Sequence, residues 1–185
     1  MAQTNTVARS LHDVGLAAWF GGSLMGAVGL NGAAARASAL TERSKIANTG
    51  WARWTPVNLG AIAAHVTGGV LLTTGNRNRM AAQAGVGQAS LVKTALTGAA
   101  LAATGWSRVL GQKVMSAQNP PVQGATEPVA STPDDVAAAQ RQLKALQWAI
   151  PALTGALLVL NARMGEQQRP QSVVSGVLHR LNPAA

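Results

Sequence analysis

The sequence predicts an all-α fold, an integral membrane bundle of four transmembrane helices. Only 11% of its 185 residues are charged, against about 25% in an ordinary soluble domain. The uncharged residues are gathered in four long blocks. Four of the five tryptophans stand at block ends that would face the same side of such a bundle. Indole rings favour the head-group level of a membrane, so this placement supports the same fold.

Three of the blocks are long enough to cross the hydrocarbon core of a bilayer. They cover residues 14–35, 54–76 and 145–162, and the shortest has 18 residues. Eighteen residues make about 27 Å of helix, close to the roughly 30 Å of hydrocarbon. The first block also has features of a signal peptide. Its apolar run is longer than a signal peptide needs, so we predict an uncleaved span.

The third block, residues 86–106, is interrupted by Lys93 and leaves 14 uncharged residues, 94–107. That length alone is typical of a buried helix in a soluble protein. Lys93 stands near the start of the block, so its aliphatic stem can carry the ammonium to the interface. We therefore expect a third transmembrane helix here.

The other segments predict loops and surface helices. Residues 1–115 are expected to hold the first three spans with short loops, and a short surface helix that ends at Gly50. Residues 116–135 carry four of the eight prolines and predict a flexible polar loop. The fourth transmembrane helix is expected over 136–165, after a start near Pro133. The tail, 166–185, predicts either an interfacial amphipathic helix or a frayed end.

The net charge of +9 invites a nucleic-acid interpretation, and the distribution of the cations argues against it. The 15 basic residues stand in the gaps between blocks rather than along one face or tail. Cations at the ends of spans match phospholipid head groups. Their division between the two sides is nearly even and only slightly favours a cytoplasmic tryptophan-rich side. We expect a multi-pass protein of the cell membrane, whose partners are the bilayer and another membrane protein or a second copy, with no nucleic acid.

His65 is the most informative candidate site residue, because it is the midpoint of the second block. An ionisable group inside a membrane is a functional hypothesis by default. Three roles are open: a haem ligand with Met25, expected at similar depth in the first helix, a proton relay, or a site for a small polar ligand. The competing interpretation is a neutral imidazole bonded to a threonine or a backbone carbonyl. Neither His12, at a block boundary, nor His179, in the tail, is expected to pair with His65.

Groups that catalyse reactions or bind metals are not evident. The chain has no cysteine, and it has no P-loop, HExxH or GxSxG motif. No carboxylate is expected inside a span, since Asp13 lies at the edge of the first block. We therefore predict that the protein is not an enzyme and has no metal site. No cofactor is predicted, although His65 with Met25 is the candidate pair for binding one.

Small residues predict how the helices associate. Gly22 and Gly26 form a GxxxG pair, and the pentapeptide ALTGA occurs at 95–99 and 152–156. Close approach over such residues supplies cohesion between helices in lipid. We predict a function through helix packing, as an accessory or scaffold subunit or a homo-oligomer. The alternative is a membrane protein that handles a small molecule, a metal or haem around His65, and a soluble DNA-associated protein is a third class.

One helix carries a family resemblance. Residues 11–34, LHDVGLAAWFGGSLMGAVGLNGAA, resemble the opening helix of small multi-pass membrane proteins of actinobacteria. The motif Trp19-Phe20-Gly21-Gly22 is similar to copper-resistance D-type membrane domains, although no cluster of Met or His accompanies it. The resemblance covers one helix of the four. It implies a membrane location and no particular activity.

Overall fold

The computed structural model describes residues 5–75 and 86–166. This part holds five helices, in chain order α1 (Thr6–Met25), α2 (Asn31–Ala34), α3 (Leu40–Gly75), α4 (Val86–Ser116) and α5 (Asp134–Glu166). A π-helical turn, Gly26–Leu30, joins α1 to α2. Two short antiparallel strands, β1 (Val122–Gly124) and β2 (Glu127–Pro128), stand between α4 and α5.

The long helices run alternately up and down. Gly15 of α1 lies against the backbone of His65 of α3, while Gly26 lies against the ring of Trp51, so α1 and α3 are antiparallel. Helix α5 is also antiparallel to α1, because Gly155 lies against the ring of Phe20 and the later part of α5 lies near the start of α1. Helix α4 packs mainly against α5 and returns in the opposite direction. The helices therefore stand in the order α3, α1, α5, α4.

The buried core forms where α1, α4 and α5 meet. Its fully or nearly buried members are Leu16, Trp19, Ala100, Ile150 and Leu157. The indole N–H of Trp19 donates to the Thr104 hydroxyl at 3.1 Å, which satisfies its polar atom inside this core. A second cluster joins the other ends of α4 and α5, with Leu110, Val114, Val136 and Ala139.

Three helical segments are long and apolar enough to cross a membrane, namely Thr6–Ala34, Leu40–Gly75 and Asp134–Gly165. Helix α4 is not among them, because Gly, Ser, Thr and polar side chains dilute its aliphatic residues. The structure therefore supports a helical membrane bundle with three candidate spans. The fourth predicted span stays a proposal.

The outer faces of the helices are aliphatic rather than polar. All four long helices carry aliphatic side chains that are between 57% and 71% exposed: Val14, Leu59, Val70, Leu91 and Val159. At the end of the bundle where α3 begins, Trp106 and Trp148 are about half exposed. A surface of bare aliphatic groups with indoles at one end is suited to lipid tails and head groups.

Residues 116–135 are folded, which corrects the prediction of a flexible polar loop. After α4 ends at Ser116, strands β1 and β2 form a hairpin, and Val122 is completely buried. The Gln140 amide of α5 donates to the carbonyls of Gly124 and Ala125 at 3.2 and 3.0 Å. Sequence composition missed this because side chains of α3 and α5, Arg43 and Gln140, hold the hairpin in addition to its own Thr132.

Helix α3 begins at Leu40 and passes through Gly50 without interruption, which corrects the predicted short helix ending at Gly50. The Gly50 backbone lies against the side chain of Leu30, at a close approach where a larger residue would collide. This glycine therefore serves helix packing rather than helix termination. Helix α5 begins at Asp134, one residue after the predicted Pro133, and continues through Pro151. The predicted tail helix, after Glu166, lies outside the described residues.

A chain of polar side chains ties the tryptophan-rich end together. The Trp51 indole donates to Asn31 Oδ1 at 2.9 Å, and Asn31 Nδ2 donates to Gln147 Oε1 at 2.9 Å. The Gln147 amide donates in turn to the Thr126 hydroxyl of the hairpin loop at 3.2 Å, and that hydroxyl donates to Glu127. Asn31 therefore helps to link α2, α3, α5 and the hairpin in one network.

Candidate functional site

Helices α1 and α3 touch at two glycines. Gly15 lies against the backbone of His65, and Gly68 lies against the Ala8 carbonyl and the His12 backbone. A Cβ added at Gly68 would stand 2.5 Å from the oxygen of Ala8 and from the nitrogen of His12, which no side chain tolerates. Because both positions lack a side chain, the helices approach closely and bring the two histidines together.

His12 and His65 form a buried, reciprocal pair. Their rings are stacked with centroids 4.0 Å apart and an angle of 21° between the planes. His12 Nδ1 is 2.7 Å from the His65 carbonyl oxygen, and His65 Nδ1 is 3.0 Å from the His12 carbonyl oxygen. The rings of Trp19 and His65 are arranged edge to face, with their centroids 6.2 Å apart. Both histidines are at most 2% exposed.

The hydrogen bonds assign the tautomer of each ring. A carbonyl oxygen only accepts, so Nδ1 must carry the hydrogen in both His12 and His65. In a neutral imidazole the other nitrogen, Nε2, then keeps its lone pair. Each ring therefore offers one acceptor, or one base, that the contact between α1 and α3 does not use.

Two acceptor atoms near this pair are buried and unsatisfied. Among the described residues, neither His12 Nε2 nor Asn161 Oδ1 has a hydrogen-bond partner. Asn161 Nδ2 donates to Asp13 Oδ1 at 3.4 Å. A buried acceptor without a donor is costly, so both atoms call for a group that carries O–H or N–H hydrogens.

These residues stand in the wall of a cleft between α3 and α4. Helix α3 packs on α1, and α4 packs on α5, so the two outer helices leave a gap of about 740 Å³ at the end of the bundle where α1 begins. Ligand sites commonly have volumes of about 300–1,000 Å³. The gap is therefore large enough for a small molecule or for a lipid head group with part of its chains.

The lining of the cleft mixes polar and apolar side chains. It includes three charged side chains, Arg9 and Asp13 from α1 and Lys93 from α4, together with both histidines and Asn161. Val66 and Val70 of α3 and Leu91 and Leu101 of α4 also line the cleft. All four aliphatic side chains are more than a third exposed. The lining suits a molecule that has both polar and apolar groups.

The structure does not bring Met25 to His65. His65 lies level with Gly15, ten residues or about 15 Å of helix from Met25. Met25 is 58% exposed and borders a shallow depression with Trp51 and Trp54 at the opposite end of the bundle. The expectation of similar depth was wrong, because the glycine contacts set the register between α1 and α3. The proposed His and Met haem pair has no geometric support.

His12 is the partner of His65, although the sequence placed it at a boundary and left it unpaired. The stack does not suit haem held between the two rings, since 4.0 Å between centroids leaves no room for a porphyrin. The bond to a backbone carbonyl is one of the structural roles foreseen for His65. Within residues 5–75 and 86–166, no group of three or more His, Asp or Glu side chains is placed to hold a metal ion.

Sequence reasoning missed most of the site. Arg9, Asp13, Lys93 and Asn161 line the cleft with the histidines, although they come from three helices. The signal available was that Asp13 and Lys93 are single charges inside or beside long uncharged blocks. Charges in such positions are uncommon and often functional. Whether these four side chains meet depends on how each helix is rotated about its own axis, and composition does not give that rotation.

Comparison of the chain with family models, with curated proteins and with solved structures finds no match. The resemblance of the first helix to small actinobacterial membrane proteins therefore stays a prediction.

Proposed function

We propose that the protein is a multi-pass membrane protein that binds an amphipathic small molecule in the cleft between α3 and α4 and catalyses no reaction on it. This is the small-molecule alternative of the sequence analysis, now centred on the pair His12 and His65. The observation that carries this proposal is that His12 Nε2 has no hydrogen-bond partner among the described residues. His12 is only 2% exposed, and it lines a cleft of about 740 Å³.

Connectivity supports four spans rather than three. Helices α3 and α5 run in the same direction, and both are apolar enough to cross a membrane. A chain that crosses twice in the same direction must return between the two crossings. Helix α4 is the segment between them, and its 31 residues extend about 46 Å. The proposal therefore includes α4 as the fourth span, with its polar residues directed towards α5 and the cleft.

The mixed lining explains why the ligand is amphipathic. Polar and charged groups inside a membrane are costly unless they are paired or serve a site. Here they line the cleft together with the aliphatic side chains of Val66, Val70, Leu91 and Leu101. A ligand with both polar and apolar groups satisfies both kinds of side chain. A purely polar ligand leaves the aliphatic groups uncovered, and a purely apolar one leaves His12 Nε2 without a donor.

Filling the cleft is expected to remove the ligand. Gly98 lines the cleft, and a Cβ added there meets nothing within 4 Å, so Gly98→Phe places a ring in the gap without backbone collision. Gly105→Phe is the matched control, since Gly105 lies on the same helix, has equally open surroundings and does not line the cleft. We expect Gly98→Phe to retain roughly tenfold less bound amphiphile per chain, a loss of about 1.4 kcal/mol in binding.

The measurement is mass spectrometry of the molecules extracted from protein purified in mild detergent, quantified per chain. Wild type and Gly105→Phe should carry the same amphiphile in similar amounts. Equal amounts in all three proteins, or none in the wild type, would refute a cleft-binding function.

A second candidate function is association with another membrane helix, the leading hypothesis of the sequence analysis. One observation favours it: exposed small residues recur along α4 at Ala95, Gly98, Ala102 and Gly105, in a row that borders the cleft at Gly98. Helices in lipid associate over such residues.

Disulfide cross-linking tests this association directly, because the chain has no cysteine of its own. We expect Ala102→Cys to form a covalent dimer in native membranes if a second copy packs on α4. Ala63→Cys, at an exposed alanine of α3, is the control and should stay monomeric. Equal cross-linking of both variants would indicate random collision and remove this candidate for self-association.

A further inference from the structure

We infer that the ligand of the cleft is a neutral amphiphile whose head group carries two hydroxyl groups, one that donates to His12 Nε2 and one that donates to Asn161 Oδ1. The inference rests on the proposed cleft-binding function and adds the chemical class of the head group. The hydrogen-bonding character of the lining supports this class.

The two orphan acceptors belong to different helices and need two donors. His12 Nε2 of α1 and Asn161 Oδ1 of α5 are buried, and neither has a hydrogen-bond partner among the described residues. The two side chains are neighbours, and both residues line the cleft. Each acceptor needs a hydrogen of its own, because a buried acceptor without a donor is costly. A ligand that satisfies both acceptors therefore has two donors close together.

Three hydroxyl groups of the lining do not supply these hydrogens. Thr73, Thr74 and Thr94 line the cleft, and each donates to a backbone carbonyl of its own helix, at 2.8, 3.0 and 2.9 Å. A hydroxyl has one hydrogen, so these three oxygens offer only lone pairs to the cleft. The carboxylate of Asp13, which accepts from Asn161 Nδ2, likewise offers only lone pairs. Most of these polar groups therefore favour a ligand that donates.

Lys93 makes hydroxyl groups better suited to this site than ammonium groups. It lines the same cleft, close enough for its charge to act on the His12 ring. An ammonium head group would donate to His12 and Asn161, but its positive charge would stand near that of Lys93. A carboxylate or a phosphate diester has no hydrogen to give to either acceptor. A neutral hydroxyl donates to the acceptors and can also accept from Lys93, so it matches both kinds of polar group.

The test records the thermal unfolding of the whole protein by tryptophan fluorescence while amphiphiles are added. An amine-oxide detergent is used, because it has no hydroxyl groups that would compete for the site. Ligands that bind only the folded protein raise its stability, and tighter ligands raise it more. The probes are 1-O-dodecylglycerol, which has two neighbouring hydroxyls, its dimethyl ether, which has none, dodecylammonium and dodecanoate. We expect dodecylglycerol to bind at least about tenfold more tightly than each of the other three.

Asn161→Leu removes one of the two acceptors at similar volume and at a partly exposed position. We expect the preference for dodecylglycerol over its dimethyl ether to fall from about tenfold to about threefold, because one of the two hydroxyls loses its acceptor. Asn58→Leu is the matched control. Its Oδ1 is also buried without a partner among the described residues, but Asn58 does not line the cleft, so the preference should stay at that of the wild type.

Equal stabilisation by dodecylglycerol and by its dimethyl ether would mean that water, rather than the ligand, satisfies the two acceptors, and it would overturn the inference. Binding of dodecylammonium or dodecanoate as tight as that of dodecylglycerol would replace the neutral head group by a charged one. A preference unchanged in Asn161→Leu would contradict the role of Asn161. Any of these results, together with amphiphile lost in Gly98→Phe, rejects the head-group class and leaves the cleft function standing. Absence of any bound amphiphile from the wild type rejects both.

Discussion

Replacement of Gly68 by leucine is expected to abolish the folded bundle, whereas leucine at Gly60 on the same helix should be tolerated. A side chain at Gly68 meets the Ala8 carbonyl and the His12 backbone nitrogen, neither of which can rotate away. Helices α1 and α3 must separate, and the histidine pair is lost with them. Overpacking costs about 1–3 kcal/mol and sometimes more, and the upper end applies against a backbone that cannot rotate away; a typical domain is stabilised by about 5–15 kcal/mol.

Size-exclusion chromatography and thermal unfolding in detergent measure this effect. A Cβ at Gly60 meets nothing within 4 Å, so Gly60→Leu controls for helix propensity and added hydrophobicity. Gly68→Ala should lie between wild type and Gly68→Leu. If Gly68→Leu unfolds at the same temperature as Gly60→Leu, α1 and α3 do not pack through this glycine, and the cleft as described does not exist.

Loss of both histidines of the pair is expected to cost less than the sum of the two single losses. His65→Ala removes the ring that stacks on His12, the edge contact to Trp19 and the donor to the His12 carbonyl. The void left in so buried a position costs about 2–4 kcal/mol. His12→Ala removes the same ring stack from the other side, together with the hydrogen bond from His12 Nδ1 to the His65 carbonyl. The stack is the contact that both variants lose, so the double variant loses it only once.

A double-mutant cycle measures this dependence. The unfolding free energies of His12→Ala, His65→Ala and the double variant should depart from additivity by at least about 1 kcal/mol, as contacting residues do. Val66→Ala, a neighbouring and partly exposed position on α3, is the control and should add to His12→Ala. Additive effects for the histidines would mean that the two rings do not stabilise each other.

Several elements could be predicted from local sequence. Long uncharged blocks predicted three helices that the structure describes as apolar enough for a membrane, since length and hydropathy need no knowledge of the fold. Tryptophan placement predicted that Trp51, Trp106 and Trp148 would share one end of the bundle. Hydrogen bonds place them there: Trp51 donates to Asn31, which donates to Gln147 beside Trp148, and Trp106 donates to Gln142. The helix start at Asp134 followed from proline and acid chemistry.

Other features depended on contacts between distant segments. The hairpin after α4 is held by Gln140, and Gly50 lies inside α3 because Leu30 packs against it. Neither relation can be deduced from composition, because proline-rich and glycine-containing segments more often form loops and ends. The pairing of His12 with His65 spans 53 positions in the chain. No local pattern connects residues so far apart.

Residue type and spacing were thus sufficient to predict the helical class and the apolar spans and to single out His65. Hydropathy and helix length are properties of continuous segments, so they can be read without the fold. The cleft, the partner of His65 and the separation of Met25 from it emerged only in the folded chain. They follow from the register and rotation of α1 against α3, which two backbone contacts at Gly15 and Gly68 determine. Contacts of that kind join residues that the chain itself keeps far apart.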